Sequence, residues 1–345
     1  MSILPASQRV AVVVNGNARN VTGEVISTLG QIMMGGDLFV SRSLPEAGEI
    51  AKTLVDRGYG TVLTGGGDGT FTTMVTKVVR EAERQGKPLP RFGFLKMGTG
   101  NALAYVVGPA GAKRRELAAD IQRLRVETGS KKISLVEVED TLTPFCGFGL
   151  DALVLEDYQH VKSVLDATPF KRAVPGLLGY AIASTTRTIP RYLWQQRPNC
   201  RVINRGAPAM RLDATGREIG KPIESGEIIY EGPARLVGIS TIPYYGFGLR
   251  AFPFAQQRPD RMQLRIVNVG LLRLSANLRE VWSGTYQNPK EISDYLIQDV
   301  LIEMNPPTAF QIGGDAAGNR SRVAVKISSR PIRLVDFYAA TTAED

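Results

Sequence analysis

Residues Thr61–Val75 read TVLTGGGDGTFTTMV. An apolar, β-prone run, Thr61 to Thr64, delivers the chain to Gly65, Gly66 and Gly67. Asp68, Gly69 and Thr70 follow, and Phe71 to Arg84 then carries helical spacing, with Met74, Val75, Val78 and Val79 on one side. Glycines allow positive φ and let an anion approach the main chain closely. The helix that follows offers N–H groups and a positive dipole end to the same anion. This combination predicts a phosphate-holding loop. Asp68 has the chemistry either to bind a magnesium ion or to act as a base, and Thr70 to cap the helix. The pattern is neither a Walker loop, which needs Gly-Lys-Ser/Thr, nor a dinucleotide fingerprint. The competing reading is a tight strand-to-helix turn with no ligand.

A second stretch, Phe92–Gly108 (FGFLKMGTGNALAYVVG), repeats the design: a strand over Arg91–Leu95, then Gly98-Thr99-Gly100-Asn101 at the start of a helix from about Ala102. Two such loops on consecutive βα units face one crevice at the carboxyl ends of the strands, where open α/β sheets bind ligands. Further strands are expected at Arg9–Asn15 and Leu38–Ser41. Helices are expected at Pro45–Arg57, with Gly58 as its stop, and at Arg114–Glu127. This alternation predicts a parallel sheet with helices on both faces over residues 1–130.

From Lys132 the pattern becomes period-two. Ile133–Val138, Arg201–Asn204, Ile228–Tyr230, Ala234–Thr241, Met262–Val269, Asp299–Met304 and Arg322–Ile327 read as strands, with Pro175–Thr188 and Leu271–Trp282 as helical exceptions. Residues 131–328 are therefore expected to form a mainly antiparallel β domain, and 329–345 to pack back on the first. A chain of 345 residues is long enough for two cores.

Composition narrows the chemistry. Cys146 and Cys200 have no metal-type spacing, so a disulfide framework or structural zinc is not expected. Any Ser-His-Asp or Cys-His mechanism would have to run through the single histidine, His160, which nothing else supports in that role and which reads as a surface or helix residue. The net charge of +9 suits nucleotide phosphates, acidic lipid or nucleic acid, but equally a basic surface kept for solubility. Met1–Gln8 lacks signal-peptide character, and the longest apolar stretch, Ala173–Ala183, is interrupted by Pro175 and too short to span a bilayer. The expected location is cytoplasmic, peripheral to the inner membrane face.

Gly66-Gly67-Asp68-Gly69-Thr70, Gly98-Thr99-Gly100-Asn101 and Gly147-Phe148-Gly149-Leu150-Asp151-Ala152 together resemble the successive signatures of the diacylglycerol kinase catalytic-domain family, which includes bacterial lipid kinases and sphingosine and ceramide kinases. The likeness runs from Val10 to about Leu334. It implies an N-terminal α/β nucleotide domain, a C-terminal β-sandwich, an active cleft between them, and ATP and Mg2+ as cofactors. NAD kinases share the first loop, but Gly98-Thr99-Gly100-Asn101-Ala102-Leu103-Ala104 points to the lipid branch. By resemblance, Asn15 closes the first strand beside the nucleotide, and Ser41 and Thr99 contact it. Gly65, Gly66, Gly67, Asp68, Gly69 and Thr70 form the phosphate loop, with Gly98, Gly100 and Asn101 in its companion. Asp260, with the carbonyls of Gln257 and Met262, matches a magnesium site, or else is a plain surface turn. Asp151 is either an acceptor-side residue or a helix cap. The partners implied are a lipid substrate, an anionic membrane surface and a second copy of the chain; no nucleic acid is expected.

The departures bear on catalysis. Where the family has Asp-Gly-Glu, this chain has Asp315-Ala316-Ala317, so the proton-accepting glutamate is an alanine. The base is then Asp68 or Asp315, or phosphate transfer is lost or weak. Thr72-Thr73 replaces the family's Asn-Glu, Asn15-Gly16 its Asn-Pro, and Lys96-Met97 stands where a proline is usual. Lys96 either reaches phosphate oxygens or is a solvated loop lysine. The stretch Leu165–Tyr192, mixing apolar residues with Lys171, Arg172, Arg187 and Arg191, lines an acyl pocket, rests on a membrane, or packs as an ordinary helix. The expected activity is ATP-dependent phosphorylation of a hydroxyl on a lipid such as diacylglycerol, ceramide or a sphingoid base. The alternatives are a nucleotide- or lipid-binding protein of the same fold with lost or weak catalysis, and an NAD-kinase-like enzyme with a soluble acceptor.

Overall fold

This computed structural model describes residues 9–18, 20–33, 37–98, 100–109, 111, 113–124, 129–149, 152–153, 157 and 197–339. Met1–Gln8, Thr99, Asp151, His160, the Leu165–Tyr192 stretch and Thr341–Asp345 lie outside the described residues. The chain divides into two compact units. One comprises Met1–Ser134, Tyr244–Gly248 and Ser329–Asp345; the other, Leu135–Pro243 and Leu249–Ser328.

The first unit opens β1 (Val10–Asn15), α1 (Gly23–Met33), β2 (Leu38–Ser41), α2 (Leu44–Asp56), β3 (Thr61–Gly66), α3 (Asp68–Gln85), β4 (Arg91–Lys96), α4 (Ala104–Val107), α5 (Arg114–Arg123) and β5 (Ser130–Ile133). Its sheet runs β2, β1, β3, β4, then the late strand Ile332–Val335, then β5. All neighbours are parallel except the last pair, in which Ile332 opposes Ile133.

Alternation sorts the strand side chains to two faces. Val12, Val14, Leu63 and Leu95 meet Leu29 of α1 and Leu117 and Ile121 of α5 in one cluster. On α3, Phe71 stacks edge-on to Phe94 of β4 at 6.3 Å between ring centroids, a contact worth about 1 kcal/mol beyond area burial. Helix α2 packs on α3. It starts at Ser43, whose hydroxyl accepts from the Glu46 amide at 3.3 Å, while the Glu46 carboxylate accepts from the Arg42 amide at 2.6 Å. Helix α1 was not anticipated.

The second unit contains β6 (Val136–Val138), β7 (Thr141–Thr143), β8 (Phe145–Gly149), β9 (Asn199–Asn204), β10 (Ala209–Leu212), β11 (Glu218–Ile223), β12 (Ile228–Pro233), β13 (Leu236–Ser240), β14 (Met262–Val267), β15 (Ile292–Ile297), β16 (Asp299–Ile312) and β17 (Asp315–Ile327); the late strand of the first unit is β18 (Ile332–Val335). These strands form a large antiparallel sheet, β11-β10-β15-β14-β13-β8-β16-β17-β6-β7, with β9 branching from β16 and β12 lying on β9. The fork has a simple origin: β17 runs along one edge of β16, while the opposite edge is shared by β9 over Val300–Asn305 and β8 over Phe310–Ile312. Both branches bury side chains in one core, from Cys200 and Val202 of β9 to Phe148 of β8 and Leu264 of β14. The expected sandwich is thus a continuous sheet forked around a shared core. Cross-strand neighbours Arg265 and Asp294 pair at 2.8 Å with little exposure, and Gln263 adds a hydrogen bond to the same carboxylate at 2.7 Å, which pins the β14–β15 register.

Several boundaries differ from the sequence reading; β16 and β17, for instance, run on to Ile312 and start at Asp315, well beyond the Asp299–Met304 and Arg322–Ile327 expected. The strand read as Ile133–Val138 is two strands in different sheets. The helix read as Leu271–Trp282 is two, α6 (Leu271–Ala276) and α7 (Leu278–Ser283). The break is at Asn277, whose side-chain amide donates to the Arg273 carbonyl at 2.7 Å, competing with the helical ladder. The helix expected from about Ala102 is only α4, ended by Gly108 at φ +67°.

Burial pushes the Cys200 thiol up to about 12, and Cys146 is buried too. Since the thiolate is the reactive form, both should resist iodoacetamide at neutral pH and label only in denaturant, as mass spectrometry would show; rapid labelling of the native protein would contradict this packing.

Candidate functional site

Because β1, β2, β3 and β4 are parallel, their carboxyl ends meet at one edge of the first unit's sheet. Asn15 is opposite Ser41, and Gly66 is opposite Lys96. Asn15 Nδ2 donates to Thr70 Oγ1 at 3.2 Å, and Asn15 Oδ1 accepts from the Asn17 amide at 3.0 Å. The Gly16 amide donates to the Ser41 carbonyl at 2.8 Å, a bond that a proline at position 16 could not make. The Ser41 hydroxyl donates to the Ser43 carbonyl at 3.2 Å.

Helix α3 begins at Asp68 rather than Phe71, with Gly67 as its N-cap and no side-chain cap. Thr70, expected to cap, lies inside the first turn. A capping side chain must come from the residue before the helix, and Thr70 is already past it; its hydroxyl instead takes the Asn15 amide. Gly66 leaves the space for that hydroxyl, since a Cβ there would lie 2.4 Å from Thr70 Oγ1. The first-turn amides of such a helix have no intrahelical acceptors and point out past its end.

The second loop presses against the first, backbone on backbone. A Cβ on Gly98 would lie 2.2 Å from Gly67 Cα. Asn101, at φ +50°, clips its own loop: Oδ1 accepts from the Gly98 amide at 2.9 Å and Nδ2 donates to the Gly98 carbonyl at 2.6 Å. Asp68 ties the loops together. Its carboxylate is buried, with Oδ2 accepting from the Ala102 amide at 2.9 Å and Oδ1 from the Leu103 amide at 3.2 Å. Asp68→Ala would strip two amides of their acceptor, at about 1–3 kcal/mol each. The expected result is a loss of about 3 kcal/mol in denaturant unfolding, whereas a stability equal to the parent would show that the tie is dispensable.

A segment remote in sequence completes this edge. Tyr244–Gly248 belongs to the first unit: the Phe247 amide donates to the Gly100 carbonyl at 2.9 Å, and the Tyr244 and Tyr105 rings lie 5.6 Å apart. Lys96 Nζ sits 5.6 Å from the Tyr105 ring centroid, so the positive charge is held beside the loops by a cation–π contact. Tyr105, Tyr244 and Phe247 were not singled out from sequence. The available signal was Tyr244-Tyr245-Gly246-Phe247-Gly248 itself, an aromatic–glycine run ill-suited to the strand pattern around it.

Asn15, Ser41, Gly65–Thr70, Lys96, Gly98, Gly100 and Asn101 therefore share one edge of the first unit. The remaining candidates belong to the second. Asp315 follows the tight Gly313-Gly314 turn between β16 and β17, both glycines having positive φ, and the Gly314 amide donates to Gln311 Oε1 at 2.9 Å. Asp315 is exposed, yet partial desolvation at the hairpin raises its pKa above the ordinary carboxylate value. Ala317 packs against the apolar core.

Asp260 is exposed and already neutralised. Arg258 Nε lies 3.3 Å and Arg261 Nη1 3.2 Å from its carboxylate oxygens, and Arg258 also reaches Glu218 at 3.5 Å. Partial burial works to raise the Asp260 pKa, but the Arg258 hydrogen bond and the Arg261 charge outweigh it and hold the group low. Two guanidiniums on the one carboxylate oppose a divalent cation there, so Gln257, Asp260 and Met262 do not fit a magnesium site. Among the described residues, no cluster of three or more His, Cys, Asp or Glu could hold a metal.

Residues 9–138 match the diacylglycerol kinase catalytic domain. This kinase-type domain spans β1 to β6 and so contains both glycine loops. No curated protein matches the chain in sequence. Among solved structures, a candidate diacylglycerol kinase from Bacillus anthracis str. Sterne superposes with TM-score 0.66 at 14% identity, covering 98% of each chain. A diacylglycerol kinase from the same organism gives TM-score 0.59 at 12% identity, over 96% of this chain and 98% of that one. At such identities the likeness is one of fold: the α/β unit and the large antiparallel unit of this chain are both those of diacylglycerol kinase-like structures.

Proposed function

We propose that the protein is an ATP-dependent kinase that phosphorylates the hydroxyl of a lipid such as diacylglycerol, ceramide or a sphingoid base. The observation that carries this reading is the backbone contact of Gly67 with Gly98, which brings two glycine loops and the start of α3 to one sheet edge inside the matched kinase domain. The residues fit nucleotide phosphates. Gly67, Gly69 and Thr70 are partly exposed at the start of α3, Gly66 makes room for the Thr70 side chain, the α3 N-terminus favours anions, and Lys96 adds a point charge. Bound ATP, accompanied by Mg2+, supplies the phosphoryl group. Asp68 acts as a positioning residue, because both its oxygens are engaged by the second loop. Asp315 is the acceptor-side base. It takes the hydroxyl proton as the lipid oxygen bonds to the terminal phosphorus and the bond to the leaving ADP oxygen breaks. Desolvation raises its pKa above the ordinary carboxylate value, which makes it a stronger base than a fully solvated aspartate, and phosphoryl transfer depends mainly on positioning and charge.

A second reading, a nucleotide- and lipid-binding protein with weak or lost transfer, is favoured by Ala317, whose side chain packs on the core and takes no proton. Incubation of the purified protein with labelled ATP, Mg2+ and a panel of acceptors, detergent-dispersed lipids and NAD, separates the two. Labelled lipid, abolished by excess unlabelled ATP, is the expected result. Nucleotide binding without labelled lipid establishes the second reading, and label on NAD instead of lipid would mean a soluble acceptor.

A further inference from the structure

We infer that the two short helices α6 and α7 form a docking surface for an anionic bilayer, with Leu272, Leu278 and Trp282 entering its headgroup region; the inference rests on the lipid-kinase reading. Three of the largest exposed apolar side chains in the described residues fall in this one segment: Leu272 is 88%, Leu278 58% and Trp282 43% exposed. Leu278 and Trp282, four residues apart, share one side of α7. Leu274, Asn277 and Val281 are only partly exposed and form the side turned toward the protein. A single exposed leucine is unremarkable, but a group of them beside cations is a recognition surface.

Charge selects the occupant. Arg279 and Lys290 are exposed on or next to the helices. Arg250, also exposed, is held at the end of α7 by its amide, which donates to the Trp282 carbonyl at 3.0 Å. Among the described residues none of these three cations is in an ion pair, whereas Arg273 is paired with Glu291. Glu280 is the opposing exposed carboxylate on the helices. Leucines at the acyl boundary, a tryptophan at headgroup level and flanking cations are the chemistry of an interfacial anchor. Each cation near an anionic leaflet adds to the attraction, and salt screens it. Among the described residues no helix is long and apolar enough to cross a membrane, so this surface accounts for how the enzyme could reach a substrate dissolved in one.

The test uses the full chain and vesicles of phosphatidylcholine with or without phosphatidylserine. The parent should sediment with the phosphatidylserine vesicles, less in high salt and less on phosphatidylcholine alone. The double variant Leu272→Ser/Trp282→Ser should bind at least about tenfold more weakly, with unchanged melting temperature and unchanged phosphorylation of detergent-dispersed lipid. The chain has two tryptophans, so Trp194→Phe leaves Trp282 as the reporter, whose emission should shift to the blue on vesicles. Equal vesicle binding by parent and double variant overturns the inference. So does conversion of a dimer to a monomer by the double variant with vesicle binding intact, which would make this face a protein contact. Vesicle binding lost in the double variant, together with no lipid labelled in detergent by the parent, would leave the surface standing and remove the kinase reading.

Discussion

Replacing Gly98 by alanine is expected to weaken nucleotide binding about 100-fold and to lower stability by about 1–3 kcal/mol. The new methyl carbon would lie 2.2 Å from Gly67 Cα, whereas carbon atoms rest about 3.5–4 Å apart. Neither side of this contact is a side chain that could swing away. The two loops would therefore have to part by about 1 Å or more, and Asp68 spans the same gap with hydrogen bonds of 2.9 and 3.2 Å. Misplacement by about 1 Å can cost about 100-fold where several groups must converge on one reacting group, and a phosphate held by backbone groups of two loops makes the same demand. Calorimetric titration with a non-hydrolysable ATP analogue, alongside thermal melting, reads both quantities. Gly23→Ala is the matched control: a Cβ there meets nothing within 4 Å, and alanine favours helix over glycine. If Gly98→Ala bound nucleotide as the parent does, the loop contact would not be what shapes the site.

Asp315→Asn is expected to lower lipid phosphorylation by about 100-fold or more with nucleotide affinity unchanged, because Asp315 belongs to the second unit and the phosphate loops to the first. The pH dependence gives an independent check. A base must be ionised, so the parent's rate should fall as pH drops through the Asp315 pKa, which desolvation sets above the ordinary carboxylate value. Stability should move the other way. With a folded pKa above the unfolded one, the group contributes stability below the unfolded pKa and loses it as pH rises through the folded pKa. Asparagine removes that loss, so the variant should melt higher than the parent at neutral pH, with the difference vanishing in acid. A variant that keeps full activity would assign proton removal elsewhere. One that loses activity and melts lower would point to a structural role for the hairpin.

The parts of the fold that rest on local pattern were readable. Val10–Asn15 is valine-rich and buried on both faces over Ala11–Val14, and Leu38–Ser41 is a strand within the same limits. The glycine loops follow strands, as their flanks implied. Helix α1 escaped because Gly23, Gly30, Ser27 and Thr28 dilute its apolar period, and only Thr28 and Leu29 of it are buried. Nothing in the alternation of Ile133–Val138 reveals a change of sheet at Ser134, because what separates β5 from β6 is the identity of their partners, β18 and β17, both far away in sequence. The geometry of the candidate site was legible only in its backbone. Backbone geometry announces itself through glycine, so Gly66, Gly67 and Gly98 stood out. That Asp68 would spend both oxygens on a neighbouring loop, or that Tyr244 would reach Tyr105, depends on tertiary contacts that no spacing encodes. At Asp260, Arg258 and Arg261 were adjacent in sequence, but which way their guanidiniums turn is a matter of packing.

The place of β18 has a consequence for how the protein is made. Hydrogen-bonded between β4 and β5, this strand leaves the ribosome after every other element named here. Until it arrives, β4 presents an open edge and β5 has no partner in the sheet. The glycine loops at the other end of β3 and β4 would thus be translated early on a scaffold finished late. Such an order exposes the nascent chain to edge-to-edge pairing for most of its synthesis. A fragment ending at residue 134 would inherit that open edge permanently, so the two units are products of one synthesis rather than modules to be expressed separately.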